Sequence, residues 1–200
     1  MMKQLVPLAS LAAIALTGCV SIGAKVQTPT ALLTLTPDSI SAAADVGHVT
    51  NAIDTLSVAA PLVPQALNAT RIAVYDGNAQ ITYVKGATWA EMPANLFKAL
   101  LTETIIAKTS RVIVDPRQSP LAVGSALSGR LVQFGIDAQS SKAVVTYDAL
   151  LTHVGSKQVA AHRFQVMIPV KVIDGNSSGR AMNRAANEVA GQVSDWVAGN

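Results

Sequence analysis

Hydrophobic residues are distributed along this chain in two regimes, one continuous and one periodic. Residues 5–16 are apolar apart from Pro7 and Ser10, and polar residues resume at Ser21. A bilayer-spanning helix needs about 20 apolar residues, so this run is too short for a permanent crossing. Further on, residues 31–36 alternate and predict a first strand closed by Pro37, after which 38–54 carries no sustained apolar stripe. That stretch is read as a loop, with a short Ala-rich helical turn as the alternative. Residues 56–60 predict a second strand, and Pro61 and Pro64 impose an extended, irregular connection. Arg71 to Tyr75, Asp76-Gly77-Asn78 and Ala79 to Val84 form a hairpin signal, because Asp-Gly suits a turn that needs positive φ.

Pro93 fits the first turn of a helix whose apolar positions are Leu96, Ala99, Leu100, Ile105, Ile106 and Ala107. Val112 to Val114 reads as a short buried strand ended by Asp115-Pro116. Three longer strands follow at 125–137, 143–154 and 159–172, and the short polar links between them imply an antiparallel meander. Val132, Phe134 and Ile136 alternate on one face, as do Val145, Tyr147, Ala149 and Leu151, and then Phe164, Val166 and Ile168. Residues 174–179 read as a loop offering an N-cap, followed by a helix at 179–198. Its stripe of Met182, Ala185, Ala186, Val189, Ala190, Val193 and Trp196 predicts packing on the sheet. The fold class is therefore α+β, a single domain with a mostly antiparallel or mixed sheet and two main helices packed on it.

The N-terminal run has the layout of an export signal: Lys3 as the positive region, the apolar stretch, then Thr17 and Gly18 before Cys19. Leu16-Thr17-Gly18-Cys19 resembles the lipobox of bacterial lipoproteins, where the thiol takes a diacylglyceryl group and becomes the acylated N-terminus. Cys19 is the one cysteine of the chain, so an intramolecular disulfide is excluded and the lipidation site is assigned to it. The organisation predicted is a signal peptide at 1–18, a lipidated tether at 19–30 and a domain at 31–200. Several acyl chains at about 0.8 kcal/mol per buried CH₂ make such attachment nearly permanent. Val20 stands where Asp would signal inner-membrane retention in enteric-type bacteria, which favours the outer membrane.

Composition adds little to this and subtracts much. Half of the residues are hydrophobic, 14% are charged and mean hydropathy is +0.37, which excludes disorder over the whole length. The formal charge of +3 is scattered without any basic run, so no nucleic-acid partner is indicated. Loss of Lys3 with the signal brings the exported chain closer to neutral, and its Ala, Val and Leu content suits coverage by copies of itself.

Catalytic chemistry finds no foothold. If the last hairpin turns at 155–158, His153 faces a residue near 158–160 and His162 one near 149–151, so the two do not converge; His48 is distant in sequence. Glu91, Glu103 and Glu188 form no helical carboxylate pair, and the nucleophile-elbow, phosphate-loop and dinucleotide patterns are missing. The sequence thus points to no enzyme, no cofactor and no metal site. Asn68-Ala69-Thr70 and Asn176-Ser177-Ser178 match the glycosylation acceptor, without force in a bacterial lipoprotein. Trp89 and Trp196 remain: Trp196 reads as core on its helix stripe, and Trp89 reads equally as core or as binding surface.

One family gathers these features. The lipobox, Leu35-Thr36-Pro37, Arg71-Ile72-Ala73-Val74, Tyr83 ahead of Trp89-Ala90-Glu91-Met92-Pro93, Phe134 and Asp137 in the first long strand, and a terminal helix ending near Trp196 resemble the ABC-type transport auxiliary lipoprotein component family. Leu32-Leu33 and Thr88 depart from it, since members often carry a Tyr pair and an Arg at those places. The resemblance implies a non-enzymatic, lipid-anchored protein on the periplasmic face of the outer membrane. It would serve a mammalian-cell-entry (MCE) domain protein of an ABC system that moves lipid between the two membranes. Trp89, with Tyr83 beside it, is then the expected contact for the MCE partner. The alternative is an envelope assembly or structural lipoprotein that binds protein, peptidoglycan or polysaccharide.

Overall fold

The computed structural model describes residues 31–38, 51–77, 79–109, 111–118 and 123–200. The leader, Cys19, the tether, His48 and most of the 38–54 loop lie outside the described residues. A single-turn 3₁₀ helix at Ala52–Asp54 leads into β1 (Thr55–Val58), and another at Gln65–Leu67 precedes the hairpin of β2 (Ala73–Tyr75) and β3 (Ile81–Tyr83). Helix α1 (Pro93–Lys108), β4 (Val112–Ile113), β5 (Ser125–Asp137), β6 (Lys142–His153), β7 (Val159–Pro169) and α2 (Gly175–Ala198) complete the order. Together they make a seven-stranded mixed sheet with both helices on it.

β5 organises the sheet. On one side it pairs antiparallel with β6, which pairs in turn with β7, as the short links require. On the other side it is shared by parallel partners: β1 at Ser125 to Leu127, Leu62 at Arg130, and β2 at Gly135 to Asp137. β4 extends β1, and β3 closes the far edge against β2. Gly77 sits in the hairpin turn at φ 79°, the conformation that the Asp-Gly signal requires.

Four local readings change. Residues 31–36 do not form a strand; only Leu33 bridges the sheet, to Trp89, because side chains of α2 take the later backbone groups of the segment. Val132 does not share a face with Phe134 and Ile136, since the β5–β6 register shifts between Leu131 and Gln133. That bulge puts Leu127 and Leu131 on the same buried face as Phe134 and Ile136 despite the change of parity. On α1, Ala99 faces solvent while Phe97, Leu101 and Thr104 are buried with Leu96, Leu100 and Ile105. The segment read as a loop at 174–179 is already helical from Gly175, with Asp174 capping through its carboxylate, which accepts from the Ser177 N–H at 2.7 Å.

The core lies between the sheet and the helix pair. Met182, Ala185, Ala186, Val189, Ala190 and Val193 of α2 are fully buried, and small residues at these positions let α2 lie close on β6 and β7. Aromatic rings continue the packing inward: Phe97 stands edge-on to Tyr147 at 5.2 Å and to Phe134 at 6.4 Å. Burial pushes the Tyr147 phenol well above its ordinary range, and its hydroxyl donates to the Ser128 carbonyl.

Candidate functional site

Trp89 occupies a short stretch tied down on two sides. The Trp89 N–H donates to the Thr70 carbonyl, Leu33 N–H donates to Thr88, and Ala90 N–H donates back to Leu33 at 2.7 Å. Held this way, the indole turns inward to 1% exposure and packs 5.7 Å from Phe134. The partly exposed anchor expected at this position is therefore absent; the residues that face outward are Ala90, Glu91 and Met92. The indole N–H is buried and meets no acceptor among the described residues.

Tyr83, opposite Ala73 on β3, keeps part of its ring at the surface. The Arg71 guanidinium lies 4.2 Å from its ring centroid, and its hydroxyl donates to the Ala66 carbonyl at 3.2 Å. Tyr83 is thus held by Arg71 and the 3₁₀ turn, while Trp89 belongs to the Phe134 cluster. Trp196 is half-buried and stands edge-on to Phe164 at 5.8 Å.

The histidines fall where the hairpin arithmetic put them. His162 pairs with Ala149, and its ring lies 4.5 Å from Phe164; His153 sits across β6 on the other neighbour, directly opposite Ser125. Ser125 Oγ lies 2.9 Å from His153 Nδ1 and accepts from Arg111 Nη1 at 3.4 Å. This pair could not be read from the chain, because the bulge between Leu131 and Gln133 shifts the β5–β6 register by one residue. Its geometry resembles a nucleophile and base, but the serine is buried and its oxygen already lies between Arg111 and His153. Among the described residues there is no cluster of metal-ligating side chains.

Elsewhere the surface is polar or apolar in distinct zones. Between the helices runs a cleft of about 420 Å³ lined by Asp38, Thr104, Lys108, Arg184, Asn187 and Glu188, a lining that would meet an acyl chain with charges. Across the strands, Arg163 makes a two-point bond to Asp148, and this hydrogen bond holds the carboxyl below its usual range. Exposed apolar side chains include Leu32, Met92, Val172 and Ile173 at one end of the domain and Ile53, Val154 and Val159 at the other, with Leu62, Ile81, Leu150 and Met167 elsewhere on the surface.

The family model described as ABC-type transport auxiliary lipoprotein component matches residues 34–194. A Xanthomonas campestris protein described under DUF330 has a similar structure, with TM-score 0.61 at 20% identity over 84% of this chain and 92% of that one. An uncharacterized protein of known structure is similar at TM-score 0.63 and 12% identity, over 84% of this chain and 99% of that one. These two share the fold. No curated protein matches the chain.

Proposed function

The chain belongs to the ABC-type transport auxiliary lipoprotein component family, and from that membership we propose that it is the passive, outer-membrane subunit of an MCE-type lipid transport system. The observation that carries the proposal is the family match from residue 34 to 194, a short tether's length after the lone cysteine in its lipobox. Acylated Cys19 supplies an immobile base on the periplasmic face, and the domain supplies a docking body. The ATPase and the lipid-carrying channel belong to other subunits. Of the two aromatics singled out in the sequence, Tyr83 retains exposed surface and is the contact assigned to the MCE partner; Trp89 serves the core beneath it. Self-association belongs to the same reading, and light scattering that returned a monomer of the unlipidated domain at every concentration would count against it.

The test joins anchoring to partnership. Cys19→Ser should abolish acyl labelling, release the protein from membranes and fail to restore envelope integrity to a deletion strain. Wild-type protein should co-purify an MCE-domain protein from its own cells, and Tyr83→Ala should weaken that capture without lowering the melting temperature. Labelling that persists in Cys19→Ser, or an MCE protein that never co-purifies, refutes the proposal.

A further inference from the structure

One end of the domain carries apolar side chains that the fold does not use. Val172 and Ile173 are 60% and 39% exposed in the tight turn between β7 and α2, where the Asp174 N–H donates to the Val172 carbonyl. Preceding an N-cap, Ile173 would ordinarily staple onto the fourth helical residue, but that residue is Ser178, so no apolar partner is offered. Leu32 is 59% exposed and Met92 41%. Their neighbourhood is set by contacts already described: Leu33 is bonded to Thr88 and Ala90, the Leu33 side chain lies against Gly179, and Gly175 lies against Ala87. The segments at 31–33, 86–92 and 171–180 are thus one continuous end.

Charge around this rim is mixed but leans positive. Lys171 adjoins Val172, and Lys85 and Arg180 are exposed on the flanking segments. Glu91 adjoins Met92, while the Asp174 carboxylate is committed to its cap. Apolar tips with interspersed cations suit an interfacial seat on a bilayer containing anionic lipid. The tether joins the domain at this end. Ala31 emerges at this end, and residues 19–30 span at most about 40 Å when fully extended, so the acyl group can bring this rim to the membrane surface.

We propose that the Leu32, Met92, Val172 and Ile173 rim inserts shallowly into the lipid surface that holds the anchor, so that the domain sits on the membrane with the Ile53 and Val154 end turned away. The inference rests on Cys19 being acylated. Acylation blocks that thiol, so a single cysteine introduced elsewhere takes an environment-sensitive fluorophore alone. Mature acylated protein carrying Val172→Cys or Val154→Cys is labelled and reconstituted into vesicles of phosphatidylethanolamine and phosphatidylglycerol, with unchanged melting as the check on folding. The expected result is a blue shift at residue 172, with loss of emission to nitroxide-bearing lipids, and neither change at residue 154. Protein that floats with the vesicles but shows no quenching at 172, or shows it at 154 instead, overturns the seating alone. Protein that does not float refutes the anchor and the seating together.

Discussion

Removing the indole at position 89 separates a core role from a contact role. Trp89→Ala deletes a ring at 1% exposure that packs against Phe134. A tryptophan buries about 200 Å², which at about 25 cal/mol per Å² is about 5 kcal/mol of transfer free energy. Against this, the buried N–H without an acceptor costs about 1–3 kcal/mol in the native protein, and alanine relieves it. The cavity left behind restores part of the difference, so the net loss is about 4 kcal/mol, within the range seen for large-to-alanine core changes. For a domain of this size each kcal/mol moves Tm by about 2–4 °C, which predicts a fall of about 8–16 °C. Trp89→Phe keeps a ring against Phe134 and sheds the unpartnered N–H, so it should stay within about 1 kcal/mol of the parent. Thermal unfolding followed by circular dichroism measures both. An alanine variant melting within about 3 °C of the parent, or a phenylalanine variant as damaged as alanine, would refute the reasoning.

Asn187→Ala should loosen the 36–38 segment from α2: its amide donates to the Thr36 and Asn183 carbonyls and accepts from the Asp38 N–H, so about 1–3 kcal/mol is lost and amide exchange at 38 accelerates. Gly135→Ala sets a Cβ against the Ala73 carbonyl inside the β2–β5 ladder and should cost about 1–3 kcal/mol, whereas Gly191→Ala meets only Lys108 Nζ at 3.9 Å and should gain up to about 1 kcal/mol of helix propensity; denaturant midpoints decide both. Asp148 has its carboxyl held low by Arg163, so its contribution is present above the ordinary value of 3.8 and fades as pH falls below it. Asp148→Asn should therefore flatten the acid limb of stability slightly, by less than about 1 kcal/mol at so exposed a pair, and an unchanged acid limb would refute it.

What the sequence determined by itself was local. Pro93 starts α1, Asp-Gly turns the β2–β3 hairpin, and the alternation at 145–151 names the buried face of β6, because each signal depends on neighbours within a turn or a strand. The histidines were placed correctly apart for the same reason, since the β6–β7 link is short enough to set its own register. The family was legible from residue identities and the order of elements, without any folded contact. Tertiary structure decided the rest. Parallel pairing of β5 with both β1 and β2 joins segments far apart in the chain, and no local pattern encodes it. The shift at Leu131 and Gln133 moved Val132 off the face that strict alternation gave it, since one extra residue in a ladder inverts parity beyond it. Asn183 and Asn187, ordinary polar positions on a helix when read in sequence, hold residues 36 and 38 through side-chain bonds in place of a strand. Whether an indole faces a partner or Phe134 rests on how Leu33 and Thr70 hold the backbone around position 89, and those contacts exist only once the sheet has closed.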